Sequence, residues 1–281
     1  MFRPMIVFAA VAAFIVSMAV QTVRAEDQAL RLYTLDCGKI KVLDANIMDD
    51  TDSYAGPLEL VASCYVIQHG NEYMLWDAGF NPEAIKGVKE TDMFQPKIEK
   101  TIEQSLAEIG LKPSDIKKIG ISHNHFDHIG QANVFKDAEL LIGAADYDML
   151  FAADIKPEDN LHPEFMSEWA DGQNVQKLTG DHDVYGDGSV VILSMPGHTP
   201  GHQALMVKLK NVGTVVLSGD LYHFKENHKH GRMPDFNSSR EQTLASFKRM
   251  DEILRENSAQ LVIQHDPEHF ARMKQPPEYL D

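Results

Sequence analysis

The stretch His123-Asn124-His125-Phe126-Asp127-His128 follows the apolar run Ile119-Gly120-Ile121 and precedes Ile129-Gly130. Three imidazoles and a carboxylate within six positions, at the end of a short β-type run, cannot all turn inward to pack. Left unpaired in a cleft, such groups would each cost on the order of 2 kcal/mol of desolvation. They read instead as ligands, because zinc and similar divalent cations accept neutral imidazole nitrogen and carboxylate oxygen at roughly 2.0–2.2 Å. On an extended segment His123 and His125 point the same way. Asp127 and His128 lie just beyond, where the chain can turn into a helix and reach a second position. The alternative is a solvated loop rich in histidine.

Three further positions each place a potential ligand shortly after an expected strand: His198 in Pro196-Gly197-His198-Thr199-Pro200-Gly201, Asp220 in Leu217-Ser218-Gly219-Asp220, and His265 in Val262-Ile263-Gln264-His265-Asp266. Singly, each is an ordinary turn residue. Strand ends on one rim can converge, however, and His123, His125, Asp127, His128, His198, Asp220 and His265 are too many for one tetrahedral ion. Two divalent ions sharing a bridging carboxylate use all seven.

The rest of the chain supplies a frame for such a rim. Strands are expected at Ala29–Val42 with a turn at Gly38, and at Leu60–Gln68, Glu72–Trp76, Ile116–Ser122, Glu139–Ile142, Val190–Ser194, His202–Lys208, Thr214–Ser218 and Gln260–Gln264. Between Lys97 and Ile109 the residues Ile98, Ile102, Leu106 and Ile109 recur at helical spacing, with Gly110 at the C-terminal cap. A second helix spans Ala144–Ala153. A third starts at Ser239, with Gln242 as capping-box partner and Leu244, Phe247, Met250 and Leu254 inward. Asp266-Pro267 opens a short last helix, residues 46–57 read as a loop, and 154–171 as a partly helical insertion. Two runs of strands, each followed by helices, give an α/β fold of two packed sheets with helices outside.

With 281 residues, 43% of them hydrophobic, and no break in composition, residues 26–281 are expected to form one domain. Arg3, the apolar run Met5–Val20 and the small residues near Ala25 make residues 1–25 a signal peptide, with a retained anchor as the alternative. The expected location is therefore periplasmic or secreted, with no membrane association after cleavage. The formal charge is −16, and removing Arg3 and Arg24 makes the mature chain more negative still. A surface so acidic repels phosphates, which excludes nucleic acid as a partner and favours a small neutral substrate. The two cysteines, Cys37 and Cys64, lie in apolar strand-like runs. They are expected as buried thiols, a disulfide being the alternative in an exported chain.

His-x-His-x-Asp-His followed by a lone His, a lone Asp and a lone His resembles the metallo-β-lactamase superfamily, from Leu32 to the C-terminus. Within it the chain looks most like the N-acyl-homoserine lactone lactonases, through Leu35-Asp36-Cys37-Gly38, Trp76-Asp77-Ala78-Gly79, His198-Thr199-Pro200-Gly201-His202-Gln203 and His265-Asp266-Pro267. The resemblance implies an αβ/βα sandwich and two metal ions, zinc as a rule. His123, His125 and His198 would hold one, Asp127, His128 and His265 the other, and Asp220 would bridge them. It implies ring opening of a lactone by water acidified at the metal pair, with Asp127 passing a proton to the leaving oxygen. A β-lactamase, organophosphate hydrolase or thioesterase on the same scaffold is the alternative. Such lactonases carry a tyrosine shortly after the bridging aspartate. Here Tyr222 falls one place early and His223 occupies the expected slot, so either is a candidate to contact the substrate's carbonyl.

Asp77 is expected either to orient a ligand histidine or to be a plain strand-end carboxylate. Ile47, Met48, Phe126, Met149, Phe151, Phe165 and Trp169 are candidates for an apolar trough, with the ordinary core as their alternative. His202 is expected to be structural, and His228 and His230 to be solvated.

Overall fold

Alternation along the strands assigns their side chains to separate layers. In the computed structural model, which describes residues 29–281 apart from 52, 53, 55, 157 and 158, the chain runs β1 (Leu30–Val42), β2 (Leu58–His69), β3 (Glu72–Trp76), β4 (Phe94–Lys97), α1 (Ile102–Glu108), β5 (Ile116–Ile121), α2 (Phe126–Ile129), β6 (Glu139–Gly143) and α3 (Ala144–Leu150). It continues through β7 (Val175–Leu178), β8 (His182–Asp183), β9 (Val190–Ser194), β10 (Gln203–Leu209), β11 (Gly213–Leu217), α4 (Lys225–His230), α5 (Arg240–Glu256), β12 (Gln260–Val262) and α6 (Pro267–Arg272). The expected signal peptide lies outside the described residues. Among the described residues no helix is long and apolar enough to cross a membrane.

Two mixed sheets result, ordered β4-β1-β2-β3-β5-β6-β7 and β12-β11-β10-β9-β8. Tyr65 and Ile67 of β2, Met74 and Trp76 of β3, and Leu205, Val207, Val215 and Leu217 of β10 and β11 meet in one core between the sheets. Their odd-numbered or even-numbered neighbours face the other way. Cys64, Val66 and Leu75 join a core that includes Ile102 and Leu106 of α1. Ala204, Met206 and Val216 pack beneath Phe247 and Met250 of α5. Period-two patterning buried on both faces thus yields helix, sheet, sheet, helix layers, the expected αβ/βα sandwich.

The differences from expectation have local causes. Gly38, at φ 127°, makes a bulge inside one continuous strand where a turn between two strands was expected. The register of β1 on β2 slips between Asp36 and Lys39, which lets the far half of β1 pair with β4 as well. Lys97 belongs to β4, and the helix starts only after its Thr101 cap, whose side chain accepts from Gln104 N. Leu244 of α5 is exposed, Thr243 and Ser246 taking the inward positions beside Phe247 and Met250. Cys37 and Cys64 form a disulfide, with Cα atoms 5.9 Å apart, so the expectation of free thiols is corrected. They sit on neighbouring strands close to the β1 bulge, where both side chains turn into the same core.

Candidate metal centre

Strand direction decides where the ligands go. β9 and β11 each pair antiparallel with β10, and β12 pairs parallel with β11, so β9, β11 and β12 all run the same way. Their carboxyl ends deliver His198, Asp220 and His265 to one rim, opposite the end of β5 that delivers His123 and His125. Asp127 and His128 follow in α2, whose short turn swings them to a second position.

Two clusters of donors result: His123, His125, His198 and Asp220 in one, and Asp127, His128 and His265 in the other. In the first, His125 Nδ1 lies 3.0 Å from His123 Nε2 and 3.1 Å from His198 Nε2. In the second, His128 Nε2 and His265 Nε2 are 3.3 Å apart and lie 3.6 and 3.5 Å from Asp127 Oδ2. Asp220 stands between them. Its Oδ2 is 3.6 Å from His123 Nε2 and 3.5 Å from His198 Nε2, while Oδ1 is 3.2 Å from His128 Nε2 and 3.0 Å from His265 Nε2.

These spacings fit bound cations. Ligand atoms at about 2.0–2.1 Å in a tetrahedron stand roughly 3.3 Å from each other. Three imidazole nitrogens converging at such distances cannot satisfy one another by hydrogen bonds, and a shared cation satisfies all of them. Burial, with help from neighbouring imidazoles, pushes His123, His125 and His198 below the ordinary imidazole range, keeping their lone pairs free. At Asp220 burial resists charge, but His265, His128, His123 and His223 outweigh it and hold the carboxyl well below its usual range.

The outer nitrogens are fixed by a second ring of partners. His198 Nδ1 pairs with Asn237 Oδ1 at 2.8 Å, and His265 Nδ1 donates to the Val61 carbonyl at 2.6 Å. His128 Nδ1 meets Asp77 Oδ2 at 2.9 Å, so Asp77 orients the imidazole of His128. Asp77 also accepts from Ser122 N and from Gln264 Nε2, and Gln264 Oε1 accepts in turn from Trp76 Nε1 and Gly219 N. One buried amide thereby joins the ends of β3, β11 and β12. His202 is structural as expected: Nδ1 pairs with the Met195 carbonyl and Nε2 accepts from Asp220 N at 2.9 Å.

Asn237, Gln264 and Asp146 were missed in the sequence, because nothing local marks them as partners of residues so remote in the chain. Asp146 is fully buried and accepts from Asn124 N, Thr199 Oγ1 and Gly201 N, clamping the loop of His123 and His125 to the loop of His198.

A cavity of about 460 Å³ opens over the clusters. Its apolar wall is Ile40, Ile47, Met48, Leu60, Phe94, Phe126 and Phe236, and its polar floor includes His125, Asp127, His198, Asp220, His223 and His265. Of the expected trough only Ile47, Met48 and Phe126 line it. Phe165 and Trp169 are core, Phe151 packs on that core, and Met149 lines a separate surface groove. Hydrophobic type could not separate wall from core: Ile40 and Leu60 come from segments read only as strands, and Phe94 and Phe236 from segments with no regular pattern to read. Tyr222 turns away from this cavity and stacks on Phe247 with ring centres 4.6 Å apart, whereas His223 lines the cavity with Nε2 3.2 Å from Asp220 Oδ2. His228 and His230 pair with Asp251 and Glu226 away from it.

The sequence profile of the Metallo-beta-lactamase superfamily matches residues 58–255. The chain belongs to the metallo-beta-lactamase superfamily. As a member it is a metal-dependent hydrolase. It is 27% identical over 260 residues to the N-acyl homoserine lactonase AttM of Rhizobium radiobacter, covering 89% of this chain and 98% of the relative. It is 29% identical over 259 residues to an N-acyl homoserine lactonase of Bacillus cereus, with the same coverage. Among solved structures, an N-acyl homoserine lactone hydrolase with N-hexanoyl-L-homoserine bound at its catalytic metal center superposes with a TM-score of 0.75 at 26% identity, covering 90% of this chain and 99% of that one. A variant of AiiA from B. thuringiensis with N-decanoyl-L-homoserine bound gives 0.76 at 26% identity, with the same coverage.

Proposed function

We propose that this metallo-beta-lactamase superfamily member opens the ring of N-acyl-homoserine lactones, using two divalent cations. The observation that carries the reading is the cavity: an apolar wall above a floor of imidazoles and carboxylates, with no Lys or Arg among the described residues lining it. A neutral head with an alkyl tail suits such a site, where no basic side chain among the described lining residues would pair with an anionic group remote from the metal donors. The relatives named as N-acyl homoserine lactonases support the same substrate class.

His123, His125 and His198 would hold one ion and Asp127, His128 and His265 the other, with one oxygen of Asp220 turned to each. Bound there, such ions supply acidified water at neutral pH and Lewis acidity toward a carbonyl, and zinc suits the nitrogen and oxygen donors. The chain's own residues do the rest. The apolar wall orients the tail so that the lactone carbonyl rests over Asp220. Water adds to the carbonyl carbon and the ring carbon–oxygen bond breaks. Asp127, on the cavity floor, takes the proton that the adding water gives up and hands it to the departing ring oxygen, giving an alcohol and a carboxylic acid that loses its own proton to solvent. His223 lines the cavity floor without belonging to either donor cluster, and is the side chain we assign to meet the carbonyl or amide.

An oxidising compartment, periplasmic or extracellular, suits this chain: the apolar stretch at its start reads as an export signal, and the Cys37–Cys64 disulfide is at home there. Mass spectrometry of ring opening on homoserine lactones of graded chain length tests the activity. We expect turnover that disappears on chelation, returns with added metal, and falls at least a hundredfold in Asp220→Ala. Cleavage of a phosphotriester or a β-lactam with no lactone opened would contradict it.

A further inference from the structure

The apolar wall is assembled from two segments that the fold keeps apart in sequence. Ile47 and Met48 sit on the loop that leaves β1, and Phe236 lies on the stretch between α4 and α5. Three polar contacts bind the first to α4, to the stretch that follows it and to the start of α5. Arg232 Nη1 donates to Asp49 Oδ2 at 3.1 Å, Arg240 pairs with Asp50, and Asn227 Nδ2 donates to the Met48 carbonyl at 3.1 Å. Asn227 Oδ1 accepts from His223 N and Phe224 N, so the amide that holds Met48 also holds the backbone of His223.

Asp49 is the member to weigh. Its carboxylate is 1% exposed, Oδ1 is taken by Thr51, and Oδ2 faces Arg232. A carboxylate in that position is poorly tolerated once its cation is gone, because removing one member of a buried pair leaves the other charge uncompensated. The loop would have to open to rehydrate it, and Ile47 and Met48 would leave the cavity together.

We propose that Arg232 is a specificity-determining positioning residue: through Asp49 it latches the Ile47-Met48 loop over the cavity, so that recognition of the acyl chain, and not the hydrolytic step, depends on the ion pair. The inference rests on the proposed lactonase activity for its substrate and on geometry alone for its latch. Arg240 and Asp50 form the outer, more solvated contact, with the Arg240 side chain 62% exposed, and contribute less.

The test compares wild type, Arg232→Met, Arg232→Lys and the double variant Arg232→Met with Asp49→Asn. Two readouts are taken: amide hydrogen exchange over residues 45–51, and kcat and KM for N-butanoyl- and N-decanoyl-homoserine lactone. We expect Arg232→Met to speed exchange in the loop at least tenfold. We expect it also to raise KM for the decanoyl substrate about tenfold, with little change in kcat or in metal content. The lysine variant restores most of both, and the double variant, with no buried charge to rehydrate, exchanges more slowly than Arg232→Met. Unchanged loop exchange in Arg232→Met overturns the latch whatever the substrate. A faster loop with an unchanged ratio of decanoyl to butanoyl kcat/KM overturns its role in specificity. Wild-type protein that opens neither lactone refutes the proposed activity, while the exchange measurement still judges the latch.

Discussion

At the scale of the residue, His223 and Tyr222 separate two roles that adjacent positions could not separate in the sequence. Tyr222 is buried against Phe247, and His223 faces the cavity 3.2 Å from Asp220. Tyr222→Phe should leave kcat within about twofold, because the ring keeps its packing. His223→Ala should lower kcat by on the order of a hundredfold, the usual effect of removing a polar group that stabilises developing charge. Metal content by elemental analysis should not change in either variant, and steady-state kinetics checks both. The seven candidate donors, which the structure gathers into two clusters, were legible from spacing because metal chemistry restricts which residue types can serve and strand ends restrict where they fall. Asn237, Gln264 and Asp146 were not, since an Asn, Gln or Asp makes such contacts only through distant pairings that no local pattern encodes. The cysteines fall between: both runs were read correctly as strands, but their pairing depended on the register of β1 on β2.

At the scale of the element, the turn from β6 into α3 determines how closely the two ligand loops approach. A Cβ on Gly143 would lie 1.9 Å from the Gly201 carbonyl oxygen, and one on Gly201 would meet Asp146 N at 2.6 Å. Backbone on backbone cannot yield, so Gly143→Ala should destabilise by about 3 kcal/mol or more, measurable as a lower denaturation midpoint. Asp146→Asn acts at the same junction. Burial pushes the Asp146 carboxyl up to about 6 against the pull of Thr199, Gly201 and Asn124. The amide keeps the shape but gives up a carboxylate oxygen as acceptor. His123, His125 and His198 should then hold a cation less firmly, read as earlier loss of metal on titration with a chelator. The strands themselves were readable because they are buried on both faces or alternate cleanly. β4, β7 and β8 escaped because short edge strands bury little, and Pro96 within β4 reads as a break.

At the scale of the whole molecule, the sandwich is held together by its inter-sheet core, by the disulfide and by a clasp at the end remote from the cavity. The disulfide spans a sequence separation of 27, and cross-linking a loop of that size contributes about 3–4 kcal/mol by restricting the unfolded chain. Replacing both cysteines by alanine should lower stability by roughly that amount in a denaturant titration. In the clasp, His69 stacks on Tyr185 at 4.0 Å and pairs with Asp187 at 2.8 Å, joining the end of β2 to the turn before β9. Hydrogen bonds from Ser189 and the nearby His69 pull the Asp187 carboxyl down to about 2. A carboxyl lowered on folding stabilises above its unfolded value near 4 and loses that contribution as pH falls toward 2. Asp187 is half exposed, so screening by water limits the effect to under about 1 kcal/mol. The Tm difference between wild type and Asp187→Asn should therefore be small, constant above pH 5, and gone near pH 2.

Donors from four remote strand ends meet around Asp220, one oxygen turned to each cluster, and the proposed chemistry depends on that carboxylate serving two cations at once. Elemental analysis of the purified protein against quantified chain, in parallel with Asp220→Ala, tests this most directly. Two divalent ions per chain in the wild type, with fewer and more readily chelated ions in the variant, is the result expected. One ion or none in active wild-type protein, or two held as tightly without Asp220, would contradict it.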